Sequence, residues 1–231
     1  MARERIVLAR DPTPVPYPPG RFQLLAEKRR RAEVFLRALP PGTRVFGSVA
    51  RGDVRPASDI DLEVPFGARS FVVEVSLSAL SDPWVGRSLV QATPNSVVKA
   101  NWTFGECTVS LPLTPPTPLE EGFARFGGAL DMHGVREGLR VPGVDKRLLL
   151  ILPTAFGHTE SSVADRVAHA AKVLKVDKDV VDGRIRVLRR RSEKGRTGVY
   201  LTRTLGDEES PEEALDALKD ADPAVRRVAS G

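Results

Sequence analysis

The chain has 231 residues, enough for one large domain or two small ones, and its 41% hydrophobic content supports a packed core. A single cysteine, Cys107, excludes an intramolecular disulfide and a cysteine-built zinc site, and reads as a small buried apolar residue. The net charge of +5 suits a polyanionic partner without requiring one, and no apolar run reaches membrane-spanning length. No signal-peptide pattern opens the sequence, so the expected location is cytoplasmic with no membrane partner.

Residues 1–20 join a short apolar run, Ile6-Val7-Leu8, to a proline-rich segment ending at Pro18-Pro19-Gly20. Each proline fixes φ and removes a donor, so an extended arm is expected. Residues 21–39 are helical by period, with Leu24, Leu25, Lys28, Ala32, Phe35, Leu36 and Leu39 on one face. The basic cluster Lys28-Arg29-Arg30-Arg31 reads as a solvated helix face, with a binding role as the alternative. Pro40-Pro41-Gly42 ends this helix, and Thr43 to Phe46 is a short strand running into Gly47-Ser48.

Residues 49–53 form a helical turn or tight loop, and Asp59 to Val64 the next strand. Asp59, Asp61 and Glu63 share one face of it and Ile60, Leu62 and Val64 the other. Phe71 to Leu80 alternates as a strand, residues 85–92 read as a short helix, and 97–103 with 106–113 as a hairpin around Phe104-Gly105. Four prolines between Pro112 and Pro118 place a domain boundary, and 119–147 is a glycine-rich connector with a short helix at 119–126.

Leu148 to Leu152 is a buried strand or a helix start. Ser162 to Asp165 has the capping-box pattern, ahead of a helix with Val163, Val167, Ala170, Ala171 and Leu174 inward. A second helix follows, then a basic turn, Gly195-Arg196-Thr197-Gly198, and a strand at 199–202, the order of a winged helix-turn-helix. Arg184, Arg186, Arg189, Arg190 and Arg196 would contact a nucleic-acid backbone, RNA or DNA; the alternative is a solvated helix end. Ser210-Pro211-Glu212-Glu213 caps a C-terminal helix. His158-Thr159-Glu160 reads as a polar loop.

The expected architecture is therefore α+β: an arm (1–20), a mixed-sheet catalytic domain (21–118), a connector (119–147), a winged-helix-like domain (148–205), and a C-terminal helix and tail (206–231).

The chemistry concentrates in two stretches, Phe46-Gly47-Ser48-Val49-Ala50-Arg51-Gly52 and Ser58-Asp59-Ile60-Asp61-Leu62. Gly47 lets the backbone approach a phosphate, and Ser48 and the following amides can donate to its oxygens. Asp59 and Asp61 stand side by side on a strand, roughly 6–7 Å apart at Cα. Two carboxylates so close call for a cation between them, Mg²⁺ or Mn²⁺, and Arg51 and Arg55 are near enough in sequence to neutralise a triphosphate.

These residues resemble the DNA polymerase β-like nucleotidyltransferase superfamily, particularly its small prokaryotic and archaeal members. The signature there is Gly-Ser, a short helix with Arg-Gly, then Ser-Asp-x-Asp on a strand. The resemblance implies a mixed α/β domain over about 21–115 and Mg²⁺-dependent transfer of a nucleoside monophosphate to a hydroxyl. It implies Gly47, Ser48 and Ser58 at the nucleotide and Asp59 and Asp61 at the metal. The family's third carboxylate falls where this chain has Val109-Ser110-Leu111-Pro112, a serine; Glu63, Glu74 or Glu106 could substitute, and Glu63 shares the aspartate face. The leading expectation is transfer to a macromolecular acceptor, RNA among the candidates. The rivals are a catalytically degenerate nucleotide-sensing regulator that binds nucleic acid, and a protein-modifying transferase of the toxin–antitoxin kind.

Overall fold

The computed structural model describes residues 6–194 and 198–230. Elements follow in chain order: strand β1 (Thr13–Pro16), helix α1 (Pro19–Ala38), β2 (Arg44–Phe46), α2 (Ser48–Arg51), β3 (Ile60–Glu63), α3 (Ser70–Ser78) and β4 (Gly86–Gln91). Next come β5 (Val98–Phe104), β6 (Cys107–Pro112), α4 (Pro118–Gly127), β7 (Ala129–Leu130), α5 (Met132–Arg136), β8 (Gly143–Val144), β9 (Leu149–Thr154) and β10 (Gly157–Ser162). The chain closes with α6 (Val167–Leu174), α7 (Lys178–Lys194), β11 (Leu201–Thr204), α8 (Pro211–Ala221) and α9 (Pro223–Ala229).

Two compact units are each assembled from three separate segments, where the sequence reading had consecutive domains. The first holds Met1–Arg30, Phe46–Ser58 and Glu121–Thr197; the second holds Arg31–Val45, Asp59–Glu120 and Gly198–Gly231.

In the second unit the strands run β11-β4-β5-β6-β3-β2, and all neighbours are antiparallel except the parallel pair β3 and β6. Alternation decides which face is core. Ile60 and Leu62 of β3, Val98, Ala100, Trp102 and Phe104 of β5, and Cys107, Val109 and Leu111 of β6 are all buried. The Val, Leu, Ile and Phe side chains among them each contribute about 1.5–3 kcal/mol on burial, so slipping the register by one residue would expose the whole set. Phe35 of α1 closes over this face with its ring 5.0 Å from that of Phe104. The opposite face therefore has to carry the polar residues of the same strands.

Several expectations are corrected here. Residues 71–80 form helix α3, because Val73 and Leu77, one helical turn apart, are the buried pair while Val75 is exposed. Residues 86–91 form strand β4, with Arg87, Leu89 and Gln91 buried in alternation. Arg87 is tolerated inside because it pairs with Glu74 at 2.7 Å, which also accepts from the Trp102 indole at 3.1 Å. The stretch expected as a wing supplies β11, which pairs antiparallel with β4 from Leu201↔Gln91 to Thr204↔Ser88. Gly195, Arg196 and Thr197 lie outside the described residues. The hairpin of β5 and β6 and the box-capped helix α8 form as expected.

The first unit has its own sheet, β1-β10-β9-β8. The proline-rich arm is its edge strand, in register Thr13↔Glu160 to Pro16↔Gly157. A strand edge suits proline, which needs no ladder donor on its solvent side. Residues 158–160 thus lie in β10, not a loop, and Ser162 ends that strand. Its hydroxyl donates to the Leu8 carbonyl at 2.9 Å, and the helix begins only at Val167. Leu148 and Leu150 with Ala170, Leu174, Val181, Ile185 and Leu188 of α6 and α7 form the core.

Candidate active site

The Gly47-Ser48 turn lies in the first unit. Gly47 links β2 to α2 at φ 68°, ψ −138°, a conformation that favours glycine. Its amide donates to the Gly128 carbonyl at 3.0 Å, which anchors the turn. Helix α2 is one turn long and ends on Gly52, left-handed at φ 95°, whose amide closes on Ser48 O at 2.7 Å.

Two arginines, Arg29 buried and Arg140 half-buried, grip the far end of this helix. Arg29 donates to Val49 O at 3.1 Å and to Ala50 O at 3.2 Å, and also to Leu139 O at 2.6 Å. Arg140 donates to Arg51 O at 3.3 Å, and to Thr154 O and Gly157 O. The last carbonyls of a helix have no partner within it and carry partial negative charge, so a guanidinium there satisfies and neutralises them together. Burial and the nearby Arg140 hold Arg29 down to about 10, still charged at neutral pH.

Arg51 was expected on the triphosphate, and its geometry places it elsewhere. It is buried, bonds Asp53 through two nitrogens at 3.0 Å each, and donates to Gly127 O at 2.6 Å. A Cβ on Gly128 or Gly143 would come within 2.8 or 2.7 Å of its side chain, so the glycines of the expected connector are what admit it. Ser58 also has a local partner. Its hydroxyl accepts from the Arg55 amide at 2.9 Å, its own amide donates to Arg55 O at 2.9 Å, and Lys28 Nζ donates to its carbonyl at 2.8 Å. This closed turn delivers the chain to Asp59. Arg55 is exposed, and Ser48 is half-buried.

The strand bearing the aspartates lies in the second unit. Asp59 precedes β3 and Asp61 lies within it; both are exposed, while Ile60 and Leu62 are buried. The Ile60 amide donates to Glu106 O at 2.9 Å and the Val64 amide to Ser110 O at 2.8 Å, so β6 holds the strand at both ends. The register sets Asp61 beside Thr108 and Glu63 beside Ser110 on β6, and Ser110 in turn opposite Asn101 on β5. The polar face thus reads Asp61 and Glu63, then Thr108 and Ser110, then Lys99, Asn101 and Thr103. Neither β6 position on it is acidic. Glu63 is ion-paired with Lys99 and Glu74 with Arg87, so both of these proposed stand-ins are engaged.

Asp59 and Asp61 are exposed hard-oxygen donors of the type a divalent cation such as Mg²⁺ takes. Among the described residues no cluster of three or more His, Cys, Asp or Glu side chains is set to hold a metal. Cys107 is buried beneath β6 and its thiol is pushed up to about 12 by that burial, so it takes no part at neutral pH.

Away from this site, Arg186, Arg189 and Arg190 are exposed on α7, and the Arg184 guanidinium lies 5.1 Å from the Phe123 ring centroid. Among the described residues no helix is long and apolar enough to cross a membrane.

A glycine turn followed in sequence by a strand carrying two aspartates is the order of residues seen in nucleotidyltransferase domains. Residues 37–88 match the family model of the nucleotidyltransferase domain, which belongs to the polymerase β-like superfamily. That span contains Gly47, Ser48, Asp59 and Asp61 and stops short of β5 and β6. Among curated proteins and solved structures, none matches the chain significantly.

Sequence reasoning missed Lys28, Arg29, Arg140 and Lys99. The signal for Lys28 was available, since it falls on the same helical face as Leu25 and Ala32; Arg140 and Lys99 left none, because their partners are distant in sequence.

Proposed function

We propose that this protein is an Mg²⁺-dependent nucleotidyltransferase that moves a nucleoside monophosphate from an NTP to a hydroxyl of a macromolecular acceptor, RNA foremost. The observation that carries the reading is the family match over 37–88, which spans both the Gly47-Ser48 turn and the Asp59/Asp61 strand. The acceptor hydroxyl attacks the α-phosphorus, the bond to the bridging oxygen breaks, and pyrophosphate leaves. Ser48 and the amides of its turn hold phosphate oxygens, and Arg55 adds a positive charge. Asp59 and Asp61 would hold Mg²⁺ or Mn²⁺, which supplies Lewis-acid stabilisation of the charge on the phosphates. The exposed arginines of α7 bind the acceptor's backbone.

Asp59→Asn and Asp61→Asn should each lower transfer about 100-fold or more while the unfolding temperature stays within a few degrees. Activity retained in both variants would refute the proposal.

A second reading, a nucleotide sensor without catalysis, is favoured by one observation: Thr108 and Ser110 stand on β6 where a third acid would face Asp61 and Glu63. It predicts that an NTP changes RNA or DNA affinity with no pyrophosphate released.

A further inference from the structure

We propose that a groove along α7 holds one unpaired guanine nucleotide of the acceptor RNA, with its base on Asp182 and its phosphate on Arg186 and Arg189; this rests on the reading of α7 as a contact for the acceptor given above. The groove lies within the first unit, between the start of α6 and α7, and has a volume of about 490 Å³. That size suits a ligand as large as a nucleotide. Asp179, Asp182, Arg186 and Arg189 line it, all from α7 and spaced by three, four and three residues, so they form one row along the helix. Among the described residues, none of these four side chains forms a hydrogen bond or an ion pair.

The row is acidic at its first half and basic at its second. A face that held only phosphates would be basic throughout, and two carboxylates repel a phosphate from the acidic half. What sits there must be an uncharged or cationic donor. Asp182 and Arg189 are separated by roughly 10 Å of helix, comparable with the distance from a base edge to its own phosphate. Ala164, Val167 and Ile185 supply an apolar wall for a flat base to lie against. Guanine is the RNA base that presents two adjacent N–H donors, N1–H and N2–H, to the two oxygens of one carboxylate. That edge is free only in an unpaired nucleotide, so the strand is single. Asp182 is half-buried and Asp179 exposed, which gives the base to Asp182 and leaves Asp179 to keep phosphates from that end.

The test is fluorescence anisotropy of the full-length protein at low salt with labelled single-stranded oligouridylates carrying one central guanosine, inosine or uridine. Wild type should bind the guanosine strand about tenfold tighter than the uridine strand. Inosine keeps N1–H but lacks the 2-amino group and should fall between. Asp182→Asn should remove the preference while binding the all-uridine strand no more weakly than wild type. Asp179→Asn should keep the preference, and Arg186→Gln/Arg189→Gln should weaken binding of both strands. Equal affinity of wild type for the guanosine and uridine strands would overturn the inference while leaving α7 as a nucleic-acid contact. So would a preference that survives Asp182→Asn, or one lost equally in Asp179→Asn. Binding that is absent in wild type, or unaffected by the arginine variant, would refute the contact itself and the inference with it. Asp182→Asn is isosteric and both arginines are exposed, so the fold should hold; an unchanged circular dichroism spectrum checks it.

Discussion

Buried in the first unit, His158 faces Tyr17, with the phenol oxygen 2.6 Å from Nδ1. Burial, and then Asp53, push the Tyr17 hydroxyl above its ordinary value, so the phenol keeps its proton at neutral pH. His158 Nε2 lies 3.6 Å from a Glu160 carboxylate oxygen. Burial lowers His158 from its ordinary 6.5, outweighing the pull of Asp53 and Glu160 toward the charged form. With the folded value depressed, the unfolded chain binds the extra proton as pH falls through 6.5, so stability is full above that pH and declines below it. For one proton the decline cannot exceed about 1.4 kcal/mol per pH unit. Thermal unfolding from about pH 7.5 to 5.5 should show it, and His158→Gln should flatten the slope; an equal slope in the variant would show that other groups are responsible. Arg29 is the second residue with a specific prediction. Arg29→Met leaves Val49 O, Ala50 O and Leu139 O without their donor and should cost about 2 kcal/mol or more. Arg29→Lys should recover part of this in denaturant melts, since one ammonium cannot span the three carbonyls.

Among the elements, α7 carries the clearest functional expectation. Its buried side, Val181, Ile185 and Leu188, is core, and Arg186, Arg189 and Arg190 are exposed. Replacing these three with Glu should weaken RNA binding and lower the slope of log K against log salt by about 2. An unchanged slope would mean that the helix does not contact phosphates. The elements that could be read from sequence were those whose burial pattern is local. Strand β3, the β5–β6 hairpin and α8 each carry their own period or cap. Helix α3 and strand β4 were exchanged because FVVEVSLS is rich in β-branched residues, and only packing shows that Val73 and Leu77 are its inner pair. In β4, the buried Arg87 and Gln91 hid the alternation, since their partners Glu74 and Ser96 are supplied by other segments. The wing was misread for a related reason: nothing in LTRT tells which strand it will pair with.

For the molecule as a whole, the two motif stretches are consecutive in sequence yet fall in different units, with the boundary between Ser58 and Asp59. The motif itself was legible because glycine at positive φ and alternating carboxylates are local requirements. The roles of Arg51 and Glu63 were not, because Gly127 O and Lys99, which engage them, are 76 and 36 residues away. The proposed reaction moves the nucleoside monophosphate, not the terminal phosphate. The most direct test is to incubate the purified protein with Mg²⁺, extracts containing RNA and protein, and NTPs labelled in parallel at the α- or the γ-phosphate. α-Label should enter the RNA, with none from γ-label and none with Asp59→Asn/Asp61→Asn. Label transferred from the γ-position, or α-label persisting with the double variant, would contradict it.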